Sequence, residues 1–398
     1  MPSARPPLPR VIWALGFVSL LMDVSSEMIL ALLPVFLTTT LGAPMAAVGL
    51  IEGVAEATAA VTKLFSGALS DWFGRRKALA VLGYGLAALT KPLFPLAPTL
   101  AWVMAARFLD RVGKGLRGAP RDAMIAEFAP PDRRGAAYGL RQALDLAGAF
   151  LGPLGAAAGV WLFAGDLRAT FWVAVPPAFA AVALLLVAVR EPPRAERPAR
   201  FPLRRAELDQ LPAAYWFITG VAALLTLARF SDAFLILKAG AVGLPVAALP
   251  LTLVGINLVS AAAAYPAGRL SDRVNRASLL GLGIPVLVAA DLALGLSADR
   301  AGLALGIALW GLHIGLSQGL LATLVADTAP EGLRGTAFGL YNLITGAALL
   351  AASALAGLLW QLAGPAASFL AGALLALASL AALVLARRRI PGLGAPPR

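Results

Sequence analysis

Twelve stretches of roughly 20 apolar residues follow one another along this chain of 398 residues, at 11–38, 47–70, 78–98, 102–128, 136–160, 168–189, 213–237, 245–267, 277–297, 302–328, 336–360 and 365–386. About 20 such residues in a helix cross the hydrocarbon core of a bilayer. A spanning β-barrel would instead alternate apolar and polar residues over segments of about ten, and these runs are longer and rich in Ala and Leu. With 60% hydrophobic and only 14% charged residues, and a mean hydropathy of +0.81, the chain has too little polar surface to coat a water-soluble globule. The expected fold is an all-α membrane protein with twelve transmembrane helices. The basic start, MPSARPPLPR, has the look of a signal peptide, but Asp23 and Glu27 interrupt the apolar stretch and no small-residue cleavage site follows at the right distance. The segment is read as a retained first helix.

The net charge of +12 raises nucleic acid as a partner, so its distribution decides. With the N-terminus in the cytoplasm, the loops on that side hold 21 Lys and Arg, among them Arg75-Arg76-Lys77, Arg204-Arg205 and Arg387-Arg388-Arg389. The opposite loops hold four at most: Lys91, Arg168, Lys238 and Arg300. This positive-inside asymmetry puts both termini in the cytoplasm of a multi-pass protein of the cell inner membrane. Basicity therefore reports topology, with attraction to anionic lipid as a by-product, and no nucleic-acid partner is expected. No cysteine and a single histidine, His313, exclude disulfides and speak against a zinc site, so neither metal nor cofactor is expected. The GKG at 113–115 lacks the Walker spacing of a phosphate loop.

Two segments recur at nearly one offset. APPDRRGAAYGL (129–140) returns as APEGLRGTAFGL (329–340), and GALSDWFGR (67–75) as GRLSDRVNR (268–276). The chain is therefore read as a duplication: an N-terminal six-helix bundle at 1–189, a Pro-rich, charged cytoplasmic linker at 190–212, and a C-terminal six-helix bundle at 213–398. The motif G-x-L-S-D-x-x-G-R-R-K, its weaker copy and the six-plus-six plan resemble the major facilitator superfamily of transporters. In the fifth run, Gly139, Gly148 and Gly152-Pro153 are similar to the glycine motif of the antiporter branch, with Ala156-Ala157 where Gly-Gly is usual. DVSSEM in the first run and DRVGKGLRGAPRDA in the fourth resemble a bacterial subgroup of that superfamily.

The resemblance implies a cytoplasmic gate at Gly67, Asp71, Gly74 and Arg75, with Asp272 as the second copy and Glu127 as a partner for Arg75. Gly148, Gly152 and Pro153 would serve gating in the fifth helix; small-residue packing alone is the alternative. In the fourth run Arg107, Arg111, Lys114, Arg117 and Arg121 share an arc of about 120° on a helix. Each uncompensated charge at the bilayer centre costs about 2.5–3.5 kcal/mol, so this stripe faces protein or water, either as a charge network braced by the acids of the first half or as a cargo path. Arg141 with Asp145, and Arg229 with Asp232, have spacings suited to local ion pairs. Asp23 with Glu27, and Glu52 with Glu56, are acid pairs one turn apart and the candidates for proton coupling. Arg111 and Lys114, with Asp232, His313 and Gln318, are the candidates for substrate contact. Asp291, in the ninth run, fits none of these roles.

The expectation is thus a proton-coupled secondary transporter, acting as a monomer, that exports a small organic solute or drug by alternating access. Its partners are the small-molecule substrate, protons and the lipid bilayer. The alternative is an importer or uniporter of an organic anion drawn by the cations of the fourth run. A lipid-modifying enzyme finds no nucleophile–base pair here, and a receptor derived from a transporter would bind without accumulating its ligand.

Overall fold

A computed structural model describes residues 8–73, 76–130, 133–190, 208–271, 274–330 and 333–389; for 67–73, 271, 318 and 389 it describes the backbone alone. Every regular element among the described residues is helical, as the hydropathy pattern requires. The helices are α1 (Arg10–Val35), α2 (Met45–Phe73), α3 (Arg76–Thr90), α4 (Leu100–Phe128), α5 (Arg134–Leu162), α6 (Leu167–Val173) and α7 (Val175–Ala188), then α8 (Ala213–Ala228), α9 (Ala233–Ala241), α10 (Leu251–Ser271), α11 (Arg276–Leu296), α12 (Arg300–Thr328), α13 (Arg334–Ala363) and α14 (Pro365–Arg389). The twelve apolar runs correspond to these helices, with the sixth run divided between α6 and α7 and the seventh between α8 and α9.

Ten helical stretches among the described residues are long and apolar enough to cross a membrane. The two runs missing from that set have plain reasons. The helix α3 has 15 residues and is continued only by a 3-10 turn at Lys91–Leu93, whereas α4 has 29 residues but is too charged. Trp161, Val187 and Leu362 are each more than 70% exposed, an apolar outer surface suited to lipid and not to water.

Local chemistry explains the irregular points. The helix α1 contains Pro34 and passes into a π-helical turn at Phe36–Thr40, where the hydroxyls of Thr38 and Thr39 donate to the carbonyls of Pro34 and Val35. Thr99 caps α4 and Asp299 caps α12, each accepting from the amide three residues on. The helix α4 stays continuous through Pro120. The seventh run breaks at Arg229–Asp232 without a proline or glycine. There Phe230 packs against Phe234, Trp310 and Phe369 at 5.3–5.7 Å between ring centroids, and the amide of Ser231 donates to Ser353 Oγ.

The chain forms two compact units: Met1–Ala31 with Phe65–Arg200, and Leu32–Leu64 with Phe201–Arg398. In the first, α3 lies along α4. A Cβ on Gly83 would come within 2.8 Å of the Gly113 carbonyl oxygen, and one on Gly113 within 2.7 Å of the Gly83 carbonyl oxygen, so this crossing depends on both lacking side chains. In the second, α11 and α10 pack on α12, α14 packs on α11 and α8, and α2 runs against α13. The α2–α13 approach is as close: Gly357 lies so near the Met45 carbonyl oxygen that a Cβ would stand 2.5 Å away.

Candidate functional site

The fourth helix carries the chemistry of the first unit. Arg107, Arg111 and Arg117 are buried, Arg121 is half-buried and Lys114 is exposed. Arg107 and Arg111, together with Lys91, converge on Asp110. Lys91 Nζ donates to Asp110 Oδ1 at 2.8 Å and to Ser26 Oγ at 3.0 Å; Arg111 Nε lies 3.4 Å and Arg107 Nη1 3.9 Å from Asp110 Oδ2. Three cations share this one carboxylate, and Glu27, within electrostatic reach of Arg107 and Arg111, is a further anion that offsets their charge. By its place at the end of the third run, Lys91 is expected in an outer loop. The structure corrects that: its side chain is 1% exposed and points into the unit. Lys238, placed in the same outer set, is also buried and donates to the Ser297 carbonyl.

Further along α4 the charges are paired. Arg117 lies over the Tyr84 ring, 5.0 Å from its centroid, and 3.6 Å from Asp23 Oδ1. Arg121 donates to Ser19 Oγ at 2.9 Å and lies 3.1 Å from Asp122 and 3.8 Å from Asp145. Arg141 pairs with Asp145 at 3.2 Å across one helical turn, as its spacing predicts, and with Asp122 at 3.3 Å. Arg229 and Asp232 do not share a helix, because the chain breaks between them, yet each remains an electrostatic neighbour of the other.

The acids of α1 meet the glycines of α5 in register. A Cβ on Gly148 would stand 2.8 Å from the Cβ of Asp23, and one on Gly152 would stand 2.6 Å from the Cβ of Glu27. Two acids four residues apart thus lie against two glycines four residues apart, with Pro153 buried beside them. Lys114, Arg111 and Arg107 are the cations within electrostatic reach of Glu27.

The Major Facilitator Superfamily model matches residues 15–348 and 214–398. The chain belongs to the major facilitator superfamily. It is therefore a multi-pass secondary transporter and not an enzyme. It is 32% identical over 368 residues to an uncharacterized MFS-type transporter of Methanocaldococcus jannaschii, covering 89% of this chain and 90% of that one. A shorter match, 30% over 158 residues, joins it to the multidrug resistance protein MdtH of Yersinia pestis, over 39% of this chain and 38% of that protein. Its fold matches a mutant of the peptide transporter POT with a TM-score of 0.81, at 15% identity over 97% of this chain and 96% of that one.

The remaining superfamily positions fall as follows. Glu127 accepts from Arg76 at 2.8 Å, one residue beyond the Arg75 singled out in the sequence, and Arg76 also reaches the Ala123 carbonyl at 3.3 Å. Gly74, Arg75 and Asp272 lie outside the described residues, as do the side chains of Asp71 and Gln318; Gly67 and Asp71 belong to the backbone of α2. In the second unit Glu52 is buried and Glu56 half-buried, one turn apart on α2. His313 is buried, with Nδ1 2.8 Å from the Gly283 carbonyl oxygen and Nε2 3.3 Å from Ser317 Oγ, so both ring nitrogens are engaged. Asp232 sits at the start of α9 without capping it. The sequence reading missed Lys91 and the convergence on Asp110. A lysine inside its own apolar run was the available signal, since such a residue turns inward by default.

Proposed function

We propose that this chain is a proton-coupled antiporter of the cell inner membrane, with both termini cytoplasmic, that exports a small organic solute or drug. The observation that carries the reading is the register of Asp23 and Glu27 against Gly148 and Gly152. The glycines bring a second helix onto the acids with no side chain between, so the ionisation state of the acids and the approach of α5 act on one another. Proton release from either acid would strengthen its attraction to Arg117 or Lys114 and reset this contact. Cargo enters beside Lys114, the exposed member of the α4 stripe, with Arg111 braced behind it on Asp110 and with Asp232, His313 and Gln318 as the candidates of the other unit. Glu52 and Glu56 form the second coupling pair. Asp71, Arg75 and Glu127, with Gly67 and Gly74, serve the cytoplasmic gate, Asp272 serves its second copy, and the chain, with its two six-helix bundles at 1–189 and 213–398, works by alternating access. The partial likeness to a multidrug resistance protein supports export.

The test is accumulation in proteoliposomes driven by an imposed pH gradient, using a panel of lipophilic cations, organic anions and neutral solutes. The combined variant Asp23→Asn, Glu27→Gln, Glu52→Gln and Glu56→Gln is expected to lose gradient-driven accumulation; undiminished accumulation would sink the coupling assignment.

A second reading has its own observation. Lys91, Arg107 and Arg111 around Asp110 suit an organic anion carried by import or uniport. A thermal-shift panel separates the two. Stabilisation by anions that vanishes in Arg111→Gln/Lys114→Gln favours the anion carrier, and stabilisation by lipophilic cations that survives there favours export.

A further inference from the structure

Asp291 is the least explained charge in the molecule. It sits in α11, its side chain is fully buried, and neither carboxyl oxygen has a hydrogen-bond partner among the described residues. An ionised carboxylate in that position is untenable: without a partner its desolvation far exceeds anything packing returns, and the bilayer supplies no water.

What surrounds it is specific. A Cβ built on Gly372 of α14 would stand 2.9 Å from Asp291 Oδ2 and 3.1 Å from the carbonyl oxygen of Ala228. The missing side chain of Gly372 therefore opens a gap that the carboxyl and that carbonyl share. Ala228 is the last residue of α8, at the break in the seventh run, and its carbonyl is one of the acceptors left over at a helix C-terminus. Such an end carries negative partial charge and attracts a proton or cation.

We infer that Asp291 is a resident proton-binding site, whose O–H is directed to the Ala228 carbonyl and pins the end of α8 at its break. A protonated carboxyl is a donor and an unprotonated one is not, so the proton is what joins the two groups. The charged and titratable neighbours do not replace it. Arg229, next along the chain, has Tyr341 and Asp232 as its electrostatic neighbours. On α12, His313 is engaged by Gly283 and Ser317. The only titratable group within α8, Tyr215, donates to the Ala337 carbonyl, and α14 has no ionisable side chain before Arg387. A metal cation is disfavoured as the occupant, because it takes roughly six oxygen ligands and the described residues hold no cluster of three or more His, Cys, Asp or Glu. The site lies in the other unit from Asp23 and Glu27 and does not depend on the direction or coupling of transport.

Infrared spectroscopy of the purified full chain at neutral pH tests this. The wild type is expected to show a protonated-carboxyl C=O band that shifts in heavy water and is lost in Asp291→Asn, whose amide can still donate to the carbonyl. Asp291→Thr, also a donor, serves if the Asn variant does not fold. Spectra of wild type and folded variant that coincide in this region would overturn the inference. So would thermal stabilisation of the wild type by sodium ions that disappears in the variant, since the occupant would then be a metal cation.

Discussion

Helices α4 and α12 occupy equivalent places in the duplication, displaced by 200 residues, and they have diverged in opposite directions. At the ends the copy is kept: Thr99 and Asp299 cap the two helices, and Arg76–Glu127 is repeated as an ion pair between Arg276 and Asp327. In the interior it is lost. Arg107, Asp110, Arg111, Lys114, Arg117 and Arg121 correspond to Ile307, Trp310, Gly311, Ile314, Ser317 and Leu321. Even the buried ionisable residue outside the two helices changes, from Lys91, which is paired with Asp110, to Asp291, whose carboxyl has no partner among the described residues. One helix organises a paired charge network, whereas the other supports aromatic packing of Phe230, Trp310 and Phe369. The difference teaches that the helix ends are constrained by folding in both halves, and that the interior was free to specialise in one.

Removing the hub of the charged helix should have the largest effect. Asp110→Asn leaves Lys91, Arg107 and Arg111 buried without their shared carboxylate, and is expected to destabilise the protein by about 3–5 kcal/mol. Loss of folded protein in detergent, or a collapsed melting temperature, is the readout. A variant as stable as wild type would mean that α4 is hydrated, and the contrast with α12 would fail. Trp310→Phe, at the equivalent place, removes part of a fully buried ring system but strands no charge, with an expected cost of about 1–3 kcal/mol.

An intermediate effect is expected at the position that holds glycine in α4 and histidine in α12. Gly113→Ala drives a methyl to 2.7 Å from the Gly83 carbonyl oxygen, and overpacking of that kind costs about 1–3 kcal/mol. His313→Ala removes a fully buried ring and its bond to the Gly283 carbonyl, which still accepts along its own helix, and the cavity left behind costs about 0.5–3 kcal/mol. Similar losses in thermal unfolding from opposite changes of volume would establish that the α3–α4 and α11–α12 contacts use different packing solutions at one site. A neutral His313→Ala would free the histidine for a role in cargo contact.

The helical runs were legible because hydrophobic length is written residue by residue. The Arg141–Asp145 pair was legible because both members lie on one helix. The break at Arg229–Asp232 was not, since it carries no proline or glycine and arises from the packing of Phe230 with rings on α9, α12 and α14. The two acids of α1 and the two glycines of α5 were each visible, but their register belongs to a contact between segments more than a hundred residues apart. Lys91 was misplaced because its partner, Asp110, lies on another helix, and the ends of the third run did not reveal how far the buried interior extends.

The smallest expected effect tests the half of the comparison that was kept. Arg76→Gln and Arg276→Gln each break one helix-end ion pair whose acid is a third or more exposed. Pairs of that kind contribute about 0.2–1 kcal/mol, so each variant should unfold only slightly earlier than wild type. The two sites lie in different units, and their effects should add within about 0.3–0.5 kcal/mol. If the pairs act only as folding clamps, transport should fall in proportion to the folded fraction. A double variant that is nearly as stable as wild type yet transports much more slowly than either single variant would mean that the clamps act together during the transport cycle. The repeated helix ends would then be as specialised for function as the charged interior of α4.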